Sequence, residues 1–335
     1  MWGWLLGVGL AGAVEARLPA SGLVWAWPDG EVRRWYLEDE VTLPQLMLWR
    51  AERNLDLRVV AWQLRSVLEC RNVPEKTSRR SWEVRCRIEA ASIRAASLPA
   101  DRGPAAGDDA GRSRLQVVVE EYAAKLTGAE IQFTLRKDGR VSSIDLEGVS
   151  KRLDRMQAIY DVQRQMLTRA IAGFDVVFPR KGVTPDGIWV QYQNLVLAAP
   201  ANLGSAGGTE TVHEVLRVED GIVVSREVGR GMVAPSQGDG GSPDLFDTHL
   251  EGATVFDTRR GMITERVWTA LGEATASSAI SEGFSKPMPY IQRGRIVELD
   301  VGESPVLPPS MELASPGDTP TALQQWQPIN GLEGP

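Results

Sequence analysis

Alternation of apolar and polar residues is the feature that most constrains the fold of this chain. In residues 82–89, Trp82, Val84, Cys86 and Ile88 share one face of an extended strand, and charged residues share the other. A period of two is typical of a β-strand with one buried and one solvated face. Segments of this kind recur along the chain. The sequence therefore predicts a fold built mainly from β-strands.

Turn sequences separate these segments. Pro28-Asp29-Gly30 follows an apolar run, Lys137-Asp138-Gly139-Arg140 joins two others, and Glu219-Asp220-Gly221 joins two more. Proline presets φ and glycine supplies a positive φ, so these are hairpin signals. Strands are predicted at residues 23–27, 32–43, 55–70 (with a phase break typical of a bulge), 82–89, 115–126, 130–135, 141–146, 188–197, 210–218, 222–233, 250–257, 262–274 and 290–299.

One stretch has the helical period instead. Ser150 is a possible N-cap and Gly173 marks the end. The apolar positions at helical spacing include Met156, Tyr160, Leu167, Ile171 and Phe174. This stripe either packs a helix on the sheet or closes an apolar cavity, with methionines that meet a lipid-like ligand. The predicted fold class is α+β and mostly β: a large curved antiparallel sheet, half-barrel-like, with one long helix packed on it.

The N-terminus predicts export. Residues 2–14 are an apolar run that is too short to span a bilayer, and Val14-Glu15-Ala16 is a small-residue cleavage pattern. No Lys or Arg precedes the run, which departs from the usual signal peptide. The alternative is a buried first element of a cytosolic protein. We expect residues 1–16 to be a cleaved signal peptide, a periplasmic or extracellular location, and a mature chain without a transmembrane span.

The two cysteines, Cys70 and Cys86, lie in segments joined by a polar turn. In a hairpin centred near Ser78 they would be directly opposite each other, which favours a disulfide in an oxidising compartment. Two buried free thiols are the alternative. A zinc pair is less favoured, because the spacing does not fit a zinc motif and no histidine is near the cysteines in the sequence.

Two segments lack periodicity. Residues 97–113 are rich in Pro, Gly, Ala and Asp and predict a loop inserted into a single domain of residues 17–300. Whether residues 17–97 form a separate domain or the first half of one sheet stays open at this point. Residues 301–335 are Pro-rich and predict a disordered tail.

A weak resemblance covers roughly residues 114–299. Its motifs are the Lys137-to-Val141 turn, Phe178-Pro179 followed by Val183, Gly187 and Trp189, and Phe256-Asp257 followed by Gly261. With these the chain resembles uncharacterised bacterial envelope proteins whose sheet is similar to the half-barrel of the periplasmic lipoprotein carriers and related lipid-binding proteins. Pro185-Asp186-Gly187 departs from the more usual Gly-Asp order. The resemblance implies an apolar cavity under covering helices, although fold does not fix function.

Motifs for catalysis are weak. Gly7-x-Gly9-x-x-Gly12 has the dinucleotide-binding spacing but lies inside the predicted signal peptide. Asp247, His249 and Glu251 would share a strand face and form a weak metal-site candidate that His213 could complete, although a solvated polar face explains them better. The sequence contains no G-x-S-x-G or H-E-x-x-H motif. No catalytic residue and no cofactor is predicted.

Three functions remain as hypotheses. The leading one is an exported non-catalytic protein that binds a lipid-like or other apolar ligand in the concave face of the sheet. The second is a structural or protein-interaction component of the cell envelope, with the tail and exposed strands as contact surfaces. The third is a metal-dependent enzyme. A formal net charge of −7 without a basic block argues against nucleic-acid binding.

Overall fold

The computed structural model describes residues 23–49, 57–76, 78, 80–98, 117, 119–153, 166–179, 187–194, 207–233, 245–274, 288–302 and 307. The predicted signal peptide at residues 1–16 lies outside the described residues, as do most of the loop at 97–113 and most of the tail at 301–335.

The described strands form one antiparallel sheet of eleven strands. The strands are β1 (Val32–Trp49), β2 (Leu57–Asn72), β3 (Ser81–Leu98), β4 (Glu130–Arg136), β5 (Val141–Asp145), β6 (Ile188–Asn194), β7 (Gly207–Glu219), β8 (Ile222–Val233), β9 (Leu245–Asp257), β10 (Met262–Ala274) and β11 (Met288–Leu299). The predicted mostly-β, antiparallel architecture is confirmed. The phase break expected in β2 is a pair of register shifts in its pairing with β3, at Val59/Ala61 and Val67/Leu68.

The strand order is β5-β4-β3-β2-β1-β11-β10-β9-β8-β7-β6. Consecutive strands pair with each other except β5 and β6, and β1 also pairs with β11. Strands before and after the 97–113 segment therefore belong to the same sheet. Among the described strands, β5 and β6 have no second partner. They are consecutive in the chain, so the sheet as described is open between them.

Three α-helical segments lie beside the sheet in the described part of the chain: α1 (119–126, with residue 117 also helical), α2 (Glu147–Leu153) and α3 (166–172). The strand predicted at 115–126 is wrong. Val119, Tyr122, Ala123 and Leu126 are buried, and this spacing of three, one and three is that of a helix face. No helix in the described part of the chain is long and apolar enough to cross a membrane.

The single long helix predicted from Ser150 to Gly173 is not shown, because residues 154–165 lie outside the described ones. Its predicted start is wrong. Helix α2 begins at Glu147, whose backbone N–H donates to the Asp145 carboxylate at 2.8 Å. Ser150 lies within α2, and its hydroxyl donates to the Leu146 carbonyl. Helix α3 ends at the expected place, just before Gly173.

Residues 23–27 alternate between buried and exposed as predicted, but they are not a strand of the sheet. The Trp25 indole N–H donates to the Val176 carbonyl at 3.0 Å, and the Ala26 N–H donates to the Gly261 carbonyl at 2.7 Å. The segment therefore packs its tryptophans inward and makes separate hydrogen bonds to two distant parts of the chain instead of a strand ladder.

The apolar core lies between one face of the sheet, called the inner face here, and the helices. Trp35 of β1 meets Phe174 edge-on at 4.9 Å between ring centroids, and Phe174 also stacks near Phe133 of β4. The opposite, outer face is polar at its centre, where Tyr36 donates to Glu38 and Arg293 pairs with Glu40. Leu307 packs on this outer face beside Tyr36.

Cys70 and Cys86 are directly opposite each other in the β2–β3 register and form a disulfide. The predicted bridge is confirmed. Both cysteines are buried in the core. Such a bridge is typical of proteins that fold outside the reducing cytoplasm.

Reduction of the Cys70–Cys86 bridge should lower the free energy of unfolding by about 3 kcal/mol, because a loop of this length gains that much chain entropy when it is opened. Urea unfolding with and without reductant measures the difference. A variant with both cysteines replaced by alanine is the control and should not respond to reductant. Equal stability of the oxidised and reduced wild type would contradict the prediction.

Candidate functional site

A cavity of about 460 Å³ lies on the inner face, against helix α3. Val141, Ser142 and Ile144 of β5 line it, and so does Tyr192 of β6. These two strands are at opposite ends of the strand order. Because both reach the same cavity, the sheet curves around it, and the cavity lies at the place where the sheet is open.

Trp268 of β10 forms an apolar wall of the cavity, next to Leu250 and Ala270. Its ring lies against two glycines, since a Cβ on Gly173 or Gly294 would collide with it. The Arg266 guanidinium lies over the same ring, 5.2 Å from its centroid. Glycines and a cation–π contact therefore fix the indole in place.

Arg169 of α3 is tied to Asp39 of β1. The guanidinium donates through Nη2 at 2.6 Å and through Nε at 3.2 Å, and both side chains are buried. Burial raises the pKa of Asp39, while the charge and hydrogen bonds of Arg169 act in the opposite direction. This forked pair anchors α3 on the centre of the sheet and makes Arg169 a cavity wall.

Arg266 makes a second buried pair with Glu227 of β8, through Nη2 at 2.7 Å and Nε at 3.1 Å. Its Nη1 donates to the Gly173 carbonyl at 2.5 Å, at the end of α3. Burial acts to raise the pKa of Glu227, but the Arg266 charge, with His213 and the Thr254 hydroxyl, holds it below its usual value. The pair is thus ionised, and through Arg266 it holds the C-terminal end of α3.

Two further arginines line the cavity near the β4–β5 turn. Arg136 is half-exposed and pairs with Asp138 at 3.4 Å. Arg140 is exposed, and no carboxylate of the described residues lies within ion-pair distance of it. Four guanidinium groups therefore border a cavity that also has an apolar wall.

Asp175 is the carboxylate that lines the cavity itself. Its Oδ1 is buried without a hydrogen-bond partner in the described part of the protein. Burial raises the pKa of Asp175 to about 6, while Arg266, the Val141 N–H and Arg140 oppose the rise. Asp175 is therefore largely ionised at pH 7 and gains a proton under mildly acidic conditions.

His213 of β7 lies behind the cavity wall and is buried. Its ring stacks on Trp189 of β6 with centroids 4.6 Å apart. Nε2 lies 3.1 Å from Gln191 Oε1, which also accepts the Val177 N–H, so Nε2 carries the proton. Burial lowers the pKa of His213 to about 4, which leaves the ring neutral at pH 7. Its role is to hold residues 175–177 on the edge strand.

The predicted ligand-facing stripe lies only in part within the described residues. Met156 and Tyr160 are outside them. Leu167, Ile171 and Phe174 are buried in the apolar core. On the same helix it is Arg169 and Ala172 that line the cavity.

The metal-site candidate is described in part. His249 Nε2 lies 3.1 Å from Glu251 Oε1, and the side chain of Asp247 is outside the description. His213 does not join them. In the strand register, His213 lies beside Glu227 of β8 and Glu227 lies beside Gly252 of β9, so these three residues share one face of the sheet. His249 is three residues before Gly252 on β9 and therefore lies on the opposite face. No cluster of three or more His, Cys, Asp or Glu side chains suited to a metal is found among the described residues.

The sequence reasoning missed Asp39, Arg169, Glu227 and Arg266. A usable signal was present. Asp39 interrupts the apolar face set by Trp35, Leu37 and Val41, and the structure buries it there. A charge at an apolar phase position predicts a buried partner, but the sequence does not say which one.

Neither a family model nor a curated protein matches the sequence, and so neither supports the resemblance to the lipoprotein carriers. Among solved structures, the chain is similar to an outer membrane channel from Pseudomonas putida F1, with 6% identity and a TM-score of 0.21, over 82% of this chain and 97% of that one. At this TM-score the likeness carries no argument about fold or function.

Glu227→Gln should destabilise the protein by about 3–5 kcal/mol, because it leaves the Arg266 charge buried without its counter-ion. Chemical denaturation measures the change. The matched control is Glu121→Gln, which breaks an exposed ion pair with Lys125 and should have little effect. Similar losses for both variants would show that burial of the pair does not matter.

Asp175→Asn should stabilise the protein at pH 7 by up to about 3 kcal/mol, since the raised pKa makes the ionised form costly in the folded state. This cost develops as pH rises from the unfolded pKa near 4 to the folded pKa of about 6. The stability difference between variant and wild type should thus be largest above pH 6 and shrink towards pH 4. His213, whose pKa is lowered by burial, makes the stability fall towards acidic pH. Because this effect is the same in the variant and the wild type, comparing the two proteins at each pH removes it. A difference that does not vary with pH would contradict the assignment.

Proposed function

We propose that this is an exported, non-catalytic binding protein that holds a lipid-like, amphipathic ligand in the cavity between α3 and the curved sheet. The observation that carries the proposal is the cavity itself, about 460 Å³, at the open side of the sheet. This volume is within the range of small-molecule sites. The Cys70–Cys86 disulfide supports export.

The wall chemistry supports an amphipathic ligand. Trp268, Leu250 and Ala270 offer apolar surface, and Val141 and Ile144 add to it from β5. Arginines border the same space. Ligand sites typically combine an apolar lining with a few fixed polar groups, and the two buried ion pairs fix Arg169 and Arg266 before any ligand arrives.

Two carboxylates beside the cavity are not available as bases. Asp39 and Glu227 are engaged by arginines through forked hydrogen bonds. A carboxylate held in this way is a poor base for a substrate proton.

A specific observation favours the second candidate, a protein-interaction component of the envelope. Edge strand β6 exposes Ile188, Val190 and Tyr192 on the outer side, and Val190 lies opposite the exposed Val212 of β7. An apolar edge strand is a ready place for another chain to pair. Tyr192 belongs both to this surface and to the lining of the cavity.

Native mass spectrometry of the protein from its own host, followed by lipid extraction, tests the leading proposal. We expect a co-purifying molecule of discrete mass. Ala172→Trp, which projects an indole into the cavity from α3, should abolish its retention. Ala124→Trp is the matched control on the exposed side of α1 and should keep it. A clean apo mass for the wild type, with no uptake of added amphiphiles, would reject the cavity proposal and favour the β6 edge.

A further inference from the structure

The starting observation is a hydrogen-bond donor at the cavity that the protein leaves unused. Arg169 is only 3% exposed, and its Nε and Nη2 are both directed at Asp39. Its Nη1 makes no hydrogen bond with a described residue and is not fully buried. Arg169 lines the cavity, so this N–H is open to a ligand there.

Arg140 offers a second open guanidinium. The carboxylates around the cavity are divided among the other arginines: Asp39 holds Arg169, Glu227 holds Arg266, and Asp138 lies by Arg136. Arg140 has no carboxylate within ion-pair distance among the described residues. Asp175 attracts it from a longer distance.

We infer that the ligand carries an anionic head group, a carboxylate or a phosphate monoester, that accepts hydrogen bonds from Arg140 and Arg169 while its apolar part lies on Trp268. This rests on the proposed function and specifies its ligand. Guanidinium groups recognise planar or tetrahedral oxyanions through paired N–H donors. The apolar wall, with Leu250 and Ala270 next to Trp268, suits a hydrocarbon chain.

The charges favour an anion over the alternatives. A cation would meet four guanidinium groups in one partly enclosed space. A neutral head group would leave the strong donors of Arg140 and Arg169 with weaker acceptors than a carboxylate or phosphate provides. Asp175 is the opposing charge in the cavity, so its neutralisation should strengthen anion binding.

Isothermal titration calorimetry of the full chain tests the inference, with dodecanoate and dodecyl phosphate as anionic probes and the glycerol monoester of dodecanoate as the neutral one. Both anions should bind more tightly than the neutral ester by about tenfold or more. The stronger of the two anions identifies the head-group class.

Three variants make the test specific. Arg140→Gln should weaken binding of the anions by about tenfold and leave the neutral ester unchanged. Asp175→Asn should tighten the anions. Arg230→Gln is the matched control, because Arg230 is exposed and on the outer face of β8, and it should change nothing. Unfolding curves for each variant show that it is folded.

The outcomes distinguish failure of the anionic head group from failure of the proposed function. Equal affinity for anionic and neutral probes, or an Arg140→Gln variant that binds dodecanoate like the wild type, would overturn the anionic head group and leave the cavity proposal standing. Failure of all three probes to bind would overturn the inference together with the proposed function.

Discussion

Two buried ion pairs hold helix α3 against the sheet, and the cavity depends on both. Arg169 reaches Asp39 on β1, and Arg266 reaches Glu227 on β8 and the carbonyl of Gly173 at the end of the helix. Two charges buried together cost desolvation energy that good forked geometry offsets. A hydrophobic contact could hold the helix as strongly, but it would not fix guanidinium groups at a cavity wall. The pairs therefore serve position more than stability.

The opening of the sheet explains where the cavity is. Apart from β5 and β6, consecutive strands pair with each other and β11 returns to β1, so the described sheet is open between β5 and β6. The chain segment between these strands supplies helices α2 and α3 and the stretch at 173–179, which is fastened to β6 through Gln191 and Trp189. A sheet that were closed at this point would leave no side entrance, and a flat sheet would leave no space. The cavity is thus a consequence of topology combined with curvature.

The strands and turns were largely predictable because a period of two and Pro-Asp-Gly-like turns are local signals. The bounds of β8 and β10 and the register of Cys70 opposite Cys86 follow from them. Helix α1 replaces the strand predicted at 115–126, because its buried residues from Val119 to Leu126 have helical spacing. Residues 23–27 alternate like a strand, yet they pack beside the sheet because Trp25 and Ala26 find partners in distant turns.

The sequence by itself determined the β-rich architecture, the opposition of Cys70 and Cys86 and the general place of helix α3, since each of these rests on spacing between near neighbours. Only the tertiary structure decided which charges meet. Asp39 and Arg169 are separated by 130 residues, and Arg266 and Glu227 by 39. Such pairs follow from how the sheet curves and where the helix lies, because an ion pair carries no signal in the chain beyond a charge at an apolar position. Likewise, only the fold brings Arg140 and Asp175 to the same cavity, because they are not near neighbours in the chain.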